Sequence, residues 1–263
     1  MVERLTDSAA MVILFAQDEA RRMHWNFVGS EMLLLGLVSE KTGLGAVALT
    51  DSGVTLENAR AAVDAIDGYG TDPLAAKIPY TLRAKKILVH ANNYSYKSEF
   101  EEIDSEHLLL GLIHEAEENL NAPSGRVAQM FRSAGVAARA LHNLGVDLAA
   151  LRGGVLDLIQ SEPILIQKYK HYVEKQHAKA ARHYRFYKTP LEEVFKGSRV
   201  NFSDEQYRDR YLEVEEELRK EHFPLLKQAL FKKFEYACKL ANLEGKPRSA
   251  RPEDPEELFG SKP

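Results

Sequence analysis

Cysteine is nearly absent: Cys238 is the only one in 263 residues. That excludes an intrachain disulfide framework and any site built on several thiolates, and it fits a reducing compartment better than secretion. Long apolar runs are missing too. The strongest, residues 32–35 and 108–110, fall far short of the roughly 20 residues that a membrane-spanning helix needs, so no membrane partner is expected. Charge of one sign is not in large excess, with a formal net charge of −4. Residues 161–263 hold 21 basic and 18 acidic side chains against 14 and 21 in residues 1–160. This asymmetry falls well short of what a dedicated nucleic-acid binder shows, and no nucleic-acid partner is expected. The opening Met1-Val2-Glu3-Arg4 enters an amphipathic segment directly, without an apolar leader or an Arg-rich transit segment. Either no targeting peptide existed or it has been removed.

Catalytic signatures are also lacking. No G-x-x-x-x-G-K-[ST] phosphate loop occurs, and neither does a dinucleotide fingerprint or a serine-triad signature. His114-Glu115 opens an H-E-x-x-H pattern that fails because position 118 is Glu. His171, His177 and His183 are spaced by six, which sets successive rings on opposite sides of a helix and makes them poor co-ligands. Cys238 has no histidine close in sequence and reads as an inert, buried thiol. No catalytic residue, metal site or cofactor is expected, and the chain does not read as an enzyme.

What is present is a duplication. With a constant offset of 75, Thr6 aligns with Thr81, Ala9 with Ala84, Ala16 with Ala91, Ser30 with Ser105 and Glu31 with Glu106. Leu33-Leu34-Leu35-Gly36-Leu37 then matches Leu108-Leu109-Leu110-Gly111-Leu112 without a gap. Further on the offset becomes 92, through Gly43 with Gly135, Gly53 with Gly145 and Arg60 with Arg152. The second copy therefore carries an extra 17 residues within 115–134. The copies span about 1–66 and 78–160, joined by a linker at 67–77 with Gly68, Gly70 and Pro73.

Each copy reads as helices. Thr6 and Thr81 are candidate N-caps before apolar residues at helical spacing. Ser30 and Ser105 are candidate caps of the next helix, with Glu31 and Glu106 at its first position, where a carboxylate favours the dipole end. Gly53 and Gly145 suit the left-handed residue that ends a third helix. No β-alternating run appears, so the fold class is all-α, a pseudo-twofold duplicated helical domain followed by a helical C-terminal extension.

Residues 161–263 form that extension. A helix is predicted from about Ile164 to Tyr187. Thr189-Pro190-Leu191-Glu192 and Ser203-Asp204-Glu205-Gln206 have the form of capping boxes. A last helix is expected after Pro224, with Phe223, Leu226, Leu230, Phe234, Ala237 and Ala241 on one face, and a mobile end after Glu244. Fourteen of the 23 aromatic residues lie here, either packing the helices together or forming a stripe for a partner.

The blocks Asn26-Phe27-Val28-Gly29-Ser30-Glu31 with 33–37, Ser105-Glu106-His107 with 108–112, and Ala16-Gln17-Asp18-Glu19-Ala20-Arg21-Arg22 resemble the Clp N-terminal repeat domain, most closely that of ClpC-type unfoldases, over residues 1–160. The resemblance implies a pseudo-twofold helical module that docks substrates, adaptors or partner subunits without catalysis of its own. An unfoldase also needs a Walker A loop and an ATPase module, and 263 residues leave no room for one after the repeat. A Clp N-domain without its motor is similar to the plant and algal ClpT proteins, accessory subunits of the plastid Clp protease.

That likeness implies an accessory subunit of the chloroplast stroma that binds the ClpP/ClpR protease core, with a ClpC-type chaperone as a further partner, and aids core assembly or regulates chaperone docking. The alternative is an adaptor presenting substrates to a Clp chaperone, or a bacterial or cyanobacterial cytoplasmic protein. In bacterial ClpC the acidic residues at the positions of Glu31 and Glu106 hold the guanidinium of phosphorylated arginine, so these two are the candidate groove residues. The plainer reading is that they stabilise their helix ends. Docking to the protease core is expected of the aromatic cluster Tyr184, Phe186 and Tyr187, or of Leu258 and Phe259. The last two, with Gly260, hold the ingredients of an unfoldase docking loop in a different order.

Overall fold

A computed structural model describes residues 4–71, 75, 78–98, 102–120, 135–188 and 205–245. The chain divides into two compact units, Met1–Ser161 and Glu162–Pro263. Among the described residues the regular structure is entirely α-helical, with two isolated β-bridges.

In the first unit, copy 1 contributes α1 (Asp7–Arg22), α2 (Ser30–Glu40), α3 (Leu44–Asp51) and α4 (Leu56–Asp67). Copy 2 contributes α5 (Leu82–Lys97), α6 (Ser105–Leu120), α7 (Val136–Asn143) and α8 (Leu148–Gln160). The ends form for local reasons that recur. Thr6 Oγ1 accepts from Ala9 N at 3.2 Å and Thr81 Oγ1 from Ala84 N at 3.1 Å, each satisfying an amide of the first turn. Gly53 and Gly145 take φ of +80° and +76° after α3 and α7. The next amides, of Val54 and Val146, turn back to Leu49 O and Leu141 O at 2.9 and 3.0 Å, which closes each helix end.

The first two helices of each copy pack on each other, α1 on α2 and α5 on α6. Gly36 permits the first contact: a Cβ there would stand 2.4 Å from Val12 O and 3.0 Å from Ala16 N. At Gly111 the same atom would meet Ile87 O at 2.5 Å and Ala91 N at 2.9 Å. The third and fourth helices cross over. Helix α3 lies on α6 and α8, and α7 lies on α2 and α4. A single apolar cluster therefore runs through both copies, from Ala9, Val12 and Leu34 to Ile87, Leu109 and Val155. Two short pairings tie the copies further. Thr6 N donates to Ile103 O (3.0 Å) and Ile103 N to Arg4 O (2.7 Å). Their twofold images are Thr81 N to Val28 O (3.0 Å) and Val28 N to Pro79 O (2.8 Å).

Ser30 and Ser105 are not N-caps. Each is the first residue of its helix, and Gly29 occupies the cap of α2. Their hydroxyls bond elsewhere: Ser105 Oγ accepts from Gly45 N of the other copy at 3.2 Å, and Ser30 Oγ donates to Glu31 Oε2 at 3.2 Å.

The second unit holds α9 (Glu162–Lys188) and α10 (Glu205–Leu243), packed against each other. No helix starts at Pro224. It lies inside α10, which continues through it. An internal proline costs a helix about 3 kcal/mol, and burial of Leu226, Ala229 and Leu230 against Ala180 immediately after it offsets that cost. Tyr169 and Tyr172 are buried beside Tyr236, with centroids 6.1 and 5.6 Å from its ring. These aromatics pack the helix pair, while Phe231 is exposed. The capping sequence at 189–192, most of the repeat's extra segment (121–134) and the chain after 245 lie outside the described residues.

Candidate functional site

The two carboxylates singled out by the repeat stand at the starts of α2 and α6, where those helices meet each other and the third helix of the opposite copy. The approach is close because glycines begin the third helices. A Cβ at Gly43 would fall 2.2 Å from Ser105 Oγ and 2.4 Å from Ser8 Oγ. One at Gly135 would fall 2.7 Å from Arg83 Cδ and 2.9 Å from Ser30 Oγ. The start of each second helix is therefore covered by the other copy's third helix.

Both carboxylates are buried, Glu31 at 4% exposure and Glu106 at 0%. Burial is the main influence on Glu31 and pushes its carboxyl above the usual range. The like charge of Asp67 pushes the same way, while its own backbone N–H, the Ser30 hydroxyl and the Arg83 guanidinium oppose. Asp67 itself is raised by burial, against the pull of Arg139. Glu31 thus sits among ionisable groups from α4, α5 and α7, and Arg83 is also ion-paired to the buried Glu115 of α6. At the twofold-related end Ser8 stands where Arg83 stands here. In this conformation both carboxylates are covered by the protein and not offered to a ligand in solution.

Arg83, Asp67 and the two glycines are absent from the sequence-derived site. The offset that aligns Ser8 with Arg83 held the signal, but only the crossing of α3 and α7 between copies shows that these residues reach the helix starts. Tyr184, Phe186 and Tyr187 fall in the last turns of α9, and their side chains lie outside the described set. Leu258 and Phe259 also lie outside it. No single described helix is long and apolar enough to cross a membrane.

Residues 4–122 match the family described as the Clp repeat (R) N-terminal domain. Over 159 residues the chain is 46% identical to an ATP-dependent Clp protease ATP-binding subunit ClpA homolog of Cyanidium caldarium, covering 60% of this chain and 17% of that protein. It is 42% identical over 159 residues to the chloroplastic chaperone protein ClpC of Pisum sativum, covering 60% of this chain and 15% of that protein. The chain thus spans about a sixth of the length of these curated relatives. Among solved structures, the N-terminal domain of the chaperone ClpD from Arabidopsis thaliana is 27% identical, with 60% of this chain and 96% of that one covered and a TM-score of 0.44. The repeated Leu-Leu-Leu-Gly-Leu blocks, the family match and the identity to these plastid-lineage proteins coincide on one segment: the first unit of this chain contains a Clp N-terminal repeat domain.

Proposed function

We propose that the protein is a non-catalytic accessory subunit of the plastid Clp system, binding the ClpP/ClpR protease core and aiding its assembly or regulating docking of a ClpC-type chaperone. The observation that carries this reading lies C-terminal to the repeat domain. The similar proteins are named as ATP-binding subunits and chaperones. Here the segment after the domain is a pair of helices packed through tyrosines and small aliphatic residues, and the chain has no phosphate-binding loop. A docking module joined to a helix pair acts by gripping another protein. Plastid location is supported by the chloroplastic names among the relatives.

The protease-core contact is assigned to the second unit, around Tyr184, Phe186 and Tyr187 or the segment with Leu258 and Phe259, because aromatic anchors are the usual centres of interfaces. The adaptor alternative needs a ligand at Glu31 and Glu106, and the burial of both carboxylates gives it less support. Affinity purification of the tagged chain from plastid extract tests the choice. Stoichiometric ClpP and ClpR supports the subunit. Recovery of chaperone with varied client proteins, abolished by replacing Glu31 and Glu106 with Gln, supports the adaptor instead.

A further inference from the structure

We propose that His90, His114 and Glu118 form a binding site for a divalent transition-metal ion, zinc being the ion their chemistry fits best. His90 lies on α5, and His114 and Glu118 lie one turn apart on α6, a spacing that places both on one face. The helices pack side by side and bring the three donors within 4.8 Å of one another. His90 Nε2 stands 3.4 Å from Glu118 Oε2, and His114 Nε2 stands 3.4 Å from Glu118 Oε1. A tetrahedral zinc site with bonds of about 2.0–2.1 Å has donor–donor edges of about 3.4 Å. Each histidine–carboxylate spacing is the length of one such edge, but the two rings face different oxygens of Glu118, so a turn of that carboxylate would bring one oxygen into reach of an ion held by both rings.

The donor set selects the ion. Two imidazoles with one carboxylate suit Zn2+, whereas Ca2+ and Mg2+ take oxygen donors. The rings stack at 4.2 Å with 29° between planes, and each directs its Nε2 at the same carboxylate. Tyr94 holds His114 from behind: its hydroxyl is 3.1 Å from Nδ1. With Nε2 on a metal, Nδ1 keeps the proton and donates to the tyrosine oxygen, the outer contact that fixes a metal-bound ring. Side-chain exposure rises from 17% at His90 through 37% at His114 to 49% at Glu118. The site opens to solvent on the carboxylate side, leaving an access route and a position for water or for a donor from a partner.

The other copy holds a different bond network at the aligned positions. His90, Tyr94 and Lys97 align with Phe15, Glu19 and Arg22. In copy 1, Arg22 and Arg60 converge on Glu19, and Arg22 also reaches Asp64 at 3.0 Å, which clamps α1 to α4. In copy 2 the positions of Glu19 and Arg22 hold Tyr94 and Lys97, and Arg152, aligned with Arg60, pairs with Glu117 of α6. A cation held by His90, His114 and Glu118 would clamp α5 to α6. The spacing rule for a one-helix zinc motif discards His114, because the second histidine comes from the preceding helix and not from position 118.

The test is a Zn2+ titration of the full chain at neutral pH against a chromophoric competing chelator, with His90→Ala, Glu118→Gln and His183→Ala variants. Far-UV circular dichroism checks their folding. His183 serves as the control because it and His222 form another close pair, with Nδ1 atoms 3.0 Å apart. The expected result is one Zn2+ per chain, bound about tenfold or more weaker in H90A and E118Q and unchanged in H183A. Zn2+ should also raise the melting temperature of the wild type but not of E118Q, since a ligand that binds only the folded state stabilises it. Absence of saturable binding, retention of affinity in E118Q, or loss confined to H183A would overturn the site.

Discussion

Gly36 and Gly111 meet equivalent backbone atoms in their two copies, Val12 O and Ala16 N in one, Ile87 O and Ala91 N in the other. Glu19 and Tyr94 align just as well but have different neighbours. Glu19 is buried between two arginines, and Tyr94 faces the imidazole of His114. What recurs is what the backbone needs in order to cross, cap and turn. The polar surroundings of α1 and α5 have diverged, so that is where the copies can carry different duties.

The glycines give the largest expected effect. Gly36→Ala and Gly111→Ala should each destabilise the first unit by about 3 kcal/mol, because the new methyl meets backbone that cannot swing aside. Urea unfolding measures both. A tolerated change in only one copy would break the equivalence of the two helix crossings.

Glu19→Gln should cost about 2 kcal/mol, as it removes a buried partner of Arg22 and Arg60. Tyr94→Phe should cost about 1 kcal/mol or less, since one neutral hydrogen bond is lost. Equal losses would mean that the two outer faces are energetically alike despite their chemistry. Thr6→Ala and Thr81→Ala should each cost about 1 kcal/mol. The Thr6 loss should be the larger of the two, because its hydroxyl also donates to Asp104 Oδ1 at 2.8 Å.

The smallest effect is a pH slope. The folded-state value of Glu31 lies above its unfolded value, so its contribution to stability is full below the ordinary carboxylate range, about 4, and is lost as pH rises through the raised value. Glu31→Gln removes that loss. Its melting temperature should exceed that of the wild type at neutral pH, with the gap closing in acid. A gap that widens in acid would mean the carboxylate is stabilised when charged, as an exposed helix-start residue would be.

Much of the first unit was legible in the sequence because duplication doubles every signal. One threonine before an apolar run is ambiguous, but Thr6 and Thr81 at a fixed offset are not, and the same holds for Gly53 and Gly145. What stayed hidden was contact between copies. Ser105 has the residue type of a cap, but its hydroxyl accepts from the other copy's Gly45, which no local pattern reveals. Pro224 misleads for a related reason. Propensity ends a helix there, whereas packing of Leu226, Ala229 and Leu230 on Ala180 carries α10 through it. The pairing of His90 with His114 depends on how α5 lies against α6, and a search along one helix passes over it.

The proposal that this chain works by holding a Clp component, without chemistry of its own, is most directly tested by sedimentation of the purified chain with purified ClpP/ClpR core, with ClpC-type chaperone, and alone, alongside ATPase and peptidase assays. The expected result is saturable co-sedimentation with the protease core and no ATP or peptide turnover by the chain alone. Turnover by the chain alone, or failure to associate with the core at concentrations where the core is assembled, would contradict it.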